Sequence, residues 1–399
     1  MILLISLIRV CSTCEYKDLY EAVNKAKAHD TVEVIGGEYT VINLTIKKPI
    51  VLIGKDSPIL DGKKKDEILI VESDDVIIRG FVFKNSAFGF VKDYSALRIR
   101  GCKKGCKIEG NTFKDNMWSI YLENSQDVEV RENKLDGGKI KDAATYAGNG
   151  IHAWKCENIT IEGNEVIRHR DGIYFEFVKG AKIFGNKTIE NARYGIHLMF
   201  SDKVEIYGNI LLENGAVAIM YSKYYTFSHN RVERHWGGTG YGLLLKEASF
   251  GKVSENFFYK NTVGILFEGS NNVEVEENVF LQNGYAIRYL ASSSGNKIRK
   301  NDFLGNTFDL TVNNVYLNVL FEENYYDTYV GYDINRDGYG DVPHRLVSIF
   351  PIFLEISPTS SILLKSPLQF TLDKIEKAFP TIITSPVEDK KPRMKRWKY

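Results

Sequence analysis

The sequence predicts an all-β chain: a right-handed parallel β-helix with a short α-helical appendage at its C-terminal end. Three observations carry that prediction. An asparagine returns at a nearly fixed interval, short stretches around it alternate apolar with charged side chains, and both features stop after about residue 326. The asparagines are Asn111, Asn133, Asn164, Asn186, Asn209, Asn230, Asn256, Asn278, Asn301 and Asn324, with gaps of 22, 31, 22, 23, 21, 26, 22, 23 and 23. A period near twenty-two residues is that of stacked coils, each unable to bury its apolar face alone. A second asparagine often follows five residues later, as in Asn186/Asn191, Asn256/Asn261 and Asn278/Asn283. Segments such as Val128-Glu129-Val130, Val204-Glu205-Ile206 and Val273-Glu274-Val275 put aliphatics inward and carboxylates into water at a period of two.

Taken in order, the chain opens on an apolar run, Met1 to Ile8, that is short for an export signal and lacks an initial positive charge. Residues 1–14 are expected to carry little of the fold. Leu19, Ala22, Val23 and Ala26 then have helical spacing and are expected to cap the open end of the solenoid. The expected organisation is residues 1–28 as the N-terminal segment and capping helix, 29–326 as the β-helix, and 327–399 as a docking segment. Equivalent side chains of neighbouring coils should lie roughly 4.8 Å apart, so the repeated asparagines can form a hydrogen-bonded ladder inside the turns. The two long gaps must bulge out as loops, Gly137 to Asn149 and Arg234 to Gly240, and loops on a rigid scaffold often carry function.

A net charge of +1 gives no electrostatic footprint for nucleic acid, and no stretch is long and apolar enough to span a bilayer as a helix. Of the five cysteines, Cys11 and Cys14 have the spacing of a redox or metal pair. Cys102 and Cys106 are placed to close a small disulfide loop in an exported protein, and free buried thiols are the plainer expectation for all five.

Several coils read as recognisable phrases: Gly150-Ile-His-Ala-Trp154, Arg170-Asp-Gly-Ile-Tyr-Phe-Glu176, Arg193-Tyr-Gly-Ile-His-Leu-Met199, Ala218-Ile-Met-Tyr-Ser222 and Gly240-Tyr-Gly-Leu-Leu-Leu-Lys246. Asn324-Tyr-Tyr-Asp327 and the segment from Gly331 to Pro343 continue the pattern, as do Leu363-Leu-Lys-Ser-Pro367 and Glu376-Lys-Ala-Phe-Pro380. In this order they resemble the NosD family, a β-helical component of nitrous oxide reductase maturation, over nearly the whole chain. Asparagine-rich coils alone would equally suit pectin-lyase-like enzymes. The resemblance implies a non-enzymatic periplasmic accessory protein, held at the membrane through the membrane subunit of an ABC transporter. It further implies work with a copper chaperone on the copper centres of nitrous oxide reductase.

If Ile151, Ile173, Ile196, Ile219, Leu243 and Ile265 point inward, then His152, Tyr174, His197, Met220, Leu244 and Leu266 form an outward column. Two positions on, Trp154, Glu176, Met199, Ser222, Lys246 and Glu268 form another. His197, Met199 and Met220 are then expected on one face with His152 further along, and imidazole with thioether suits Cu(I). The same columns can equally serve as a docking surface, with Tyr174 and Trp154 as its aromatic contacts. A second ion site is expected in the loop of Asp333, Asn335, Asp337 and Asp341, whose side-chain oxygens and Gly338 match the first half of a Ca²⁺ loop. His344 stands where that loop would need its closing glutamate, and an Asx-rich turn is the alternative.

Past Pro343, Leu368, Leu372, Ile375 and Phe379 line one face of a short amphipathic helix, expected to cover the end of the solenoid or dock on a partner. Lys390, Lys391, Arg393, Lys395, Arg396 and Lys398 form a basic tail suited to anionic headgroups or an acidic partner. A polysaccharide-binding or polysaccharide-modifying β-helix is the competing reading. Its paired carboxylates are not apparent, because Glu176 and Glu268 stand coils apart.

Overall fold

The structure is a computed structural model that describes residues 6–89, 92–139, 142–290, 292–313, 317–347, 350, 358–364, 366–378 and 387–397. The chain divides into two compact units, Met1–Gly215 and Ala216–Tyr399. Each is a parallel β-solenoid, as the repeat predicts. In both units the coils contribute strands to three sheets, and each strand pairs with those of the neighbouring coils.

In the first unit the registers follow the asparagine spacing. Ile161 pairs with Ile183 and Ile183 with Ile206 in one sheet, while Ile151 pairs with Ile173 and Ile173 with Ile196 in another. These aliphatics are fully buried, so one residue of slip would turn each of them to the outside face. Asn111, Asn133, Asn164, Asn186 and Asn209 form the expected ladder, each amide nitrogen donating to the amide oxygen one coil on at 3.0–3.1 Å. The residue before each of these asparagines has a left-handed backbone, with φ of 62° at Gly110, 53° at Glu132 and 64° at Gly163, Gly185 and Gly208. That conformation costs any residue other than glycine, and the ladder bonds on the following residue hold it.

The first residues depart from expectation. Leu7–Val10 is a strand that pairs in parallel with Thr31–Ile35, so this stretch continues the solenoid rather than lying outside it. Alternation is the available signal, masked by the apolar residues that precede it. The helix Leu19–Lys25 is N-capped by Asp18, whose carboxylate accepts the Tyr20 N–H, and it buries Leu19, Ala22 and Val23. Both expected cysteine pairs are disulfides, Cys11–Cys14 and Cys102–Cys106, and Cys156 alone is a free buried thiol. The plainer expectation of free thiols is corrected for four of the five.

In the second unit Phe258, Phe280, Phe303 and Tyr326 stack ring over ring at 5.0–5.1 Å through the core. Asn230, Asn256, Asn278, Asn301 and Asn324 form a second run of the ladder. Its last member donates not to another asparagine but to the carboxylate of Asp389, at 3.0 Å from Nδ2 and 3.1 Å from the backbone nitrogen. Glu388–Asp389 pairs in parallel with Phe321 and antiparallel with His344–Arg345, covering that sheet's edge. The helix Pro367–Ala378 sets Leu372 beside Leu363 and Leu364 against buried Phe308 and Phe350. Leu368 and Ile375 are exposed, so the apolar face expected to act as one is divided between packing and solvent, and Phe379 lies outside the described residues. The basic tail is not a free arm either: Arg396 pairs with Asp302, and Arg393 stacks over the rings of Tyr339 and Trp397.

Candidate functional site

The site stands on the outward face of one sheet of the first unit, built from Ser95–Arg100, Trp118–Glu123, Ile151–Trp154, Asp171–Glu176 and Tyr194–Met199. Register places Arg98, Tyr121, His152, Tyr174 and His197 in one column. The Arg98 guanidinium lies 4.3 Å over the Tyr121 ring, and the successive ring centroids follow at 5.0, 4.6 and 4.6 Å. The column points outward as the alternation predicts, but it is not a surface. His152 and His197 are each only 4% exposed, because every ring is covered by those above and below it. In-and-out alternation reports direction, whereas burial here comes from stacking between coils.

His197 is held by a charged network. Its Nδ1 lies 3.2 Å from Asp171 Oδ2, and Asp171 accepts from the Arg193 guanidinium, with Nε at 2.8 Å from Oδ1. Burial alone would raise the Asp171 pKa; the bonds from Arg193 and His197 outweigh it and hold the carboxyl at about 2. With Nδ1–H donated to that carboxylate, the lone pair of His197 Nε2 is left over, and this atom is buried with no hydrogen-bond partner. Met199, at the end of the same strand, has its sulfur 3.5 Å from the Tyr174 hydroxyl, which donates to it.

Alongside His152, the column borders a cavity of about 500 Å³ whose walls include Met117, Trp118, Tyr121, Trp154 and Tyr146. Tyr146 belongs to the short helix Ala143–Tyr146 in the first of the two expected loops. Trp118 stacks on His152 with centroids 4.6 Å apart, and Trp154 carries the Lys155 ammonium 4.3 Å from its ring. Met117, Trp118 and Tyr121 escaped the sequence reading. Carrying the His152 column one coil back, to Ile120 and Tyr121, was the signal that reaches them.

His169 is fully buried and takes the turn position that Asn191 holds one coil later; its backbone N–H donates to Asn191 Oδ1 at 3.0 Å. Burial lowers its pKa from 6.5 to about 4. A folded-state pKa below the unfolded one means stability is complete above pH 6.5 and is lost as pH falls toward 4, a loss of about 3 kcal/mol from this group. Thermal unfolding of His169→Asn across that range is expected to show a correspondingly shallower pH dependence than the parent. An unchanged slope would show that His169 is not the group responsible.

In the second unit the expected alignment of Met220 needs correction. A bulge between Ala216 and Ala218 shifts the register, so Ala218 pairs with Leu244 and Met220 with Lys246, which in turn pairs with Glu268. Met220 therefore stands in the strand-end column, and Ser222, expected there, is buried with its hydroxyl on the Met220 carbonyl. The gap of 21 between Asn209 and Asn230, the shortest in the series, is the mark this irregularity leaves in the sequence. In the loop expected to hold Ca²⁺, Asp333 accepts the N–H groups of Asp337 and Gly338, Asn335 that of Asp337, Asp337 that of Tyr339, and Asp341 that of Ile334. These oxygens build an Asx-rich turn. Among the described residues no three His, Cys, Asp or Glu side chains gather as a metal-binding group.

Fold and site together define a pectin-lyase-like parallel β-solenoid carrying a buried imidazole column. Solved structures with this fold include the catalytic unit of a GH87 α-1,3-glucanase from Streptomyces thermodiastaticus, at TM-score 0.66 and 13% identity over 77% of this chain and 65% of that one. The periplasmic alginate epimerase AlgG is similar at TM-score 0.55 and 12% identity, over 80% of this chain and 83% of that one. The family model described as "Periplasmic copper-binding protein (NosD)" matches residues 138–339. Two relatives are named "Probable ABC transporter binding protein NosD". That of Stutzerimonas stutzeri is 28% identical over 384 residues, 90% of this chain and 85% of its own, and that of Pseudomonas aeruginosa is 24% identical over 408 residues, 88% and 86%. The chain belongs to the NosD family, a periplasmic copper-binding family.

Proposed function

We propose that this protein is a non-enzymatic periplasmic copper carrier that holds Cu(I) transiently at His197 and works at the membrane with an ABC transporter. The observation that carries the reading is the Asp171–His197 pair, which orients the ring and leaves Nε2 buried with its lone pair uncommitted. A carboxylate behind the second ring nitrogen is the usual support of a metal-ligating histidine. Met199 is the thioether candidate and His152 a further imidazole; neutral nitrogen and sulfur donors favour Cu(I) over hard ions. The transporter enters through the relatives' name, "Probable ABC transporter binding protein NosD". A copper chaperone as donor and nitrous oxide reductase as recipient complete the proposal. Trp154 and the exposed Leu368 and Ile375 are proposed partner contacts, while Tyr174 and Leu372 act from within the packing.

Anaerobic titration with Cu(I) against a chromophoric chelator tests this. His197→Phe, which keeps a ring in the column, is expected to remove one equivalent of bound copper, and Met199→Leu shows whether that sulfur shares the ion. Copper binding equal to the parent in His197→Phe would end the proposal for this residue.

A further inference from the structure

The two disulfides of the first unit stand in different surroundings. Cys102 and Cys106 are fully buried, and their sulfurs lie 3.3 Å from the Lys104 carbonyl oxygen and 3.2 Å from that of Ser73. A thiolate released there would face carbonyl oxygens away from water, an unfavourable place for a negative charge. Cys11 and Cys14 are instead half-buried in a turn whose middle residues, Ser12 and Thr13, are exposed. The turn follows Leu7–Val10, which ends the strand order of its sheet among the described residues, so no further strand of that sheet lies beyond it.

The Thr13 hydroxyl oxygen is 3.5 Å from Cys11 Sγ. With the sulfur held in a disulfide, the hydroxyl is the donor of that pair, and it is placed to donate to a thiolate on Cys11. Cys14 has the opposite setting. Glu15 follows it, and the charge of Glu15 is felt in this turn as the main cause of the raised Tyr16 pKa. A negative charge therefore forms more readily on Cys11 than on Cys14. Nor does the turn depend on its cross-link: Cys14 N–H donates to the Cys11 carbonyl at 3.2 Å and Cys11 N–H to that of Tyr16 at 3.1 Å. A disulfide with a sequence separation of 3 removes little loop entropy.

We propose that Cys11–Cys14 is a thiol–disulfide exchange site that accepts two electrons from the dithiol of an exported oxidoreductase, while Cys102–Cys106 is structural. The proposal does not depend on the copper reading. The partner's first thiolate attacks Cys14 Sγ, the Cys11–Cys14 bond breaks, and its electron pair leaves on Cys11 Sγ, where the Thr13 hydroxyl donates to it. The partner's second thiolate then attacks the partner's own sulfur in the mixed disulfide, and Cys14 leaves in turn. Two electrons and two protons pass from the partner's thiols to Cys11 and Cys14, and the partner is left as a disulfide. A monothiol cannot complete this sequence efficiently, because Cys11 stays beside Cys14 and expels it by closing the disulfide again.

The test treats the whole oxidised chain anaerobically with dithiothreitol as the dithiol probe and, separately, with glutathione at the same thiol concentration. Trapping with N-ethylmaleimide and mass mapping locate the products. Dithiothreitol is expected to free Cys11 and Cys14 together, with Cys102–Cys106 intact and the circular dichroism unchanged. Glutathione is expected to give a minor mixed disulfide on Cys14, with Cys11 alkylated, beside a majority of re-formed disulfide. Thr13→Val, which keeps the shape of the side chain, is expected to slow the dithiothreitol reaction about 5- to 10-fold. Reduction of both disulfides at one rate, or of neither in the folded chain, would overturn the proposal. So would glutathione on Cys11 in place of Cys14, an unchanged rate in Thr13→Val, or complete reduction by glutathione alone.

Discussion

Asn164→Ala is expected to lower the stability of the first unit by about 4 kcal/mol, one of the largest losses any single truncation in this chain should cause. Its amide nitrogen donates to Val130 O at 2.9 Å, Glu162 O at 3.0 Å and Asn186 Oδ1 at 3.0 Å. Its oxygen accepts from the backbone and the side chain of Asn133, both at 3.0 Å. Alanine removes all of these partners at once in a place water does not reach, so two donors of Asn133 and an acceptor on Val130 are stranded. Each stranded group costs roughly 1–3 kcal/mol, and partial relaxation of the turn brings the sum to the figure above. Urea unfolding reads the total, and hydrogen exchange at the Asn133 amide locates it. A change below about 1 kcal/mol would show that the ladder only accompanies the strand register and does not stabilise it.

Asp171→Asn should act on stability and copper together. The carboxylate is fully buried between Arg193 and His197, and removing its charge leaves a guanidinium and an imidazole facing an amide. Breaking a buried pair in this way costs about 3 kcal/mol. In the parent, a folded pKa of about 2 against 3.8 means this carboxylate stabilises fully above pH 3.8, a contribution lost as pH falls through 2. The variant should lack that acid-dependent step. Loss of the carboxylate behind His197 should also weaken Cu(I) binding there about 10- to 100-fold. Chelator competition near neutral pH, where the parent carboxylate is charged, separates the two effects, provided folding is confirmed by circular dichroism at the same temperature. Full copper affinity in a folded Asp171→Asn protein would show that the carboxylate does not support a metal ligand.

The coils were legible because their physics is repetitive. A fixed interval between asparagines and a side-chain period of two determine which residue of one coil meets which residue of the next, and His152, Tyr174 and His197 fall into one column as that arithmetic requires. What escaped depends on properties a single coil does not carry. The burial of His152 and His197 arises from rings on other coils, and the offset of Met220 from a bulge that shows in the sequence as nothing more than the short gap of 21 before Asn230. Leu7–Val10 falls in a stretch expected to carry little of the fold, because the apolar residues before it hide which of its own face inward. Met117 and Trp118 lie one coil before the His152 strand, and the loop carrying Tyr146, with Gly89 and Asp93, turns their neighbourhood into a cavity. The loops were located by the irregular gaps, but their conformations were not.

Asp389 gives the polypeptide a direction of assembly. Each asparagine of the second unit finds its partner 22 to 26 residues further along, so a coil can settle on its predecessor as soon as the next short stretch emerges. Asn324 must wait 65 residues for its acceptor. Until that late segment arrives, the terminal strand has bare amides able to recruit a strand from a neighbouring molecule. The final carboxylate thus works as a clasp: its arrival ends the interval in which a half-finished solenoid could join another end to end.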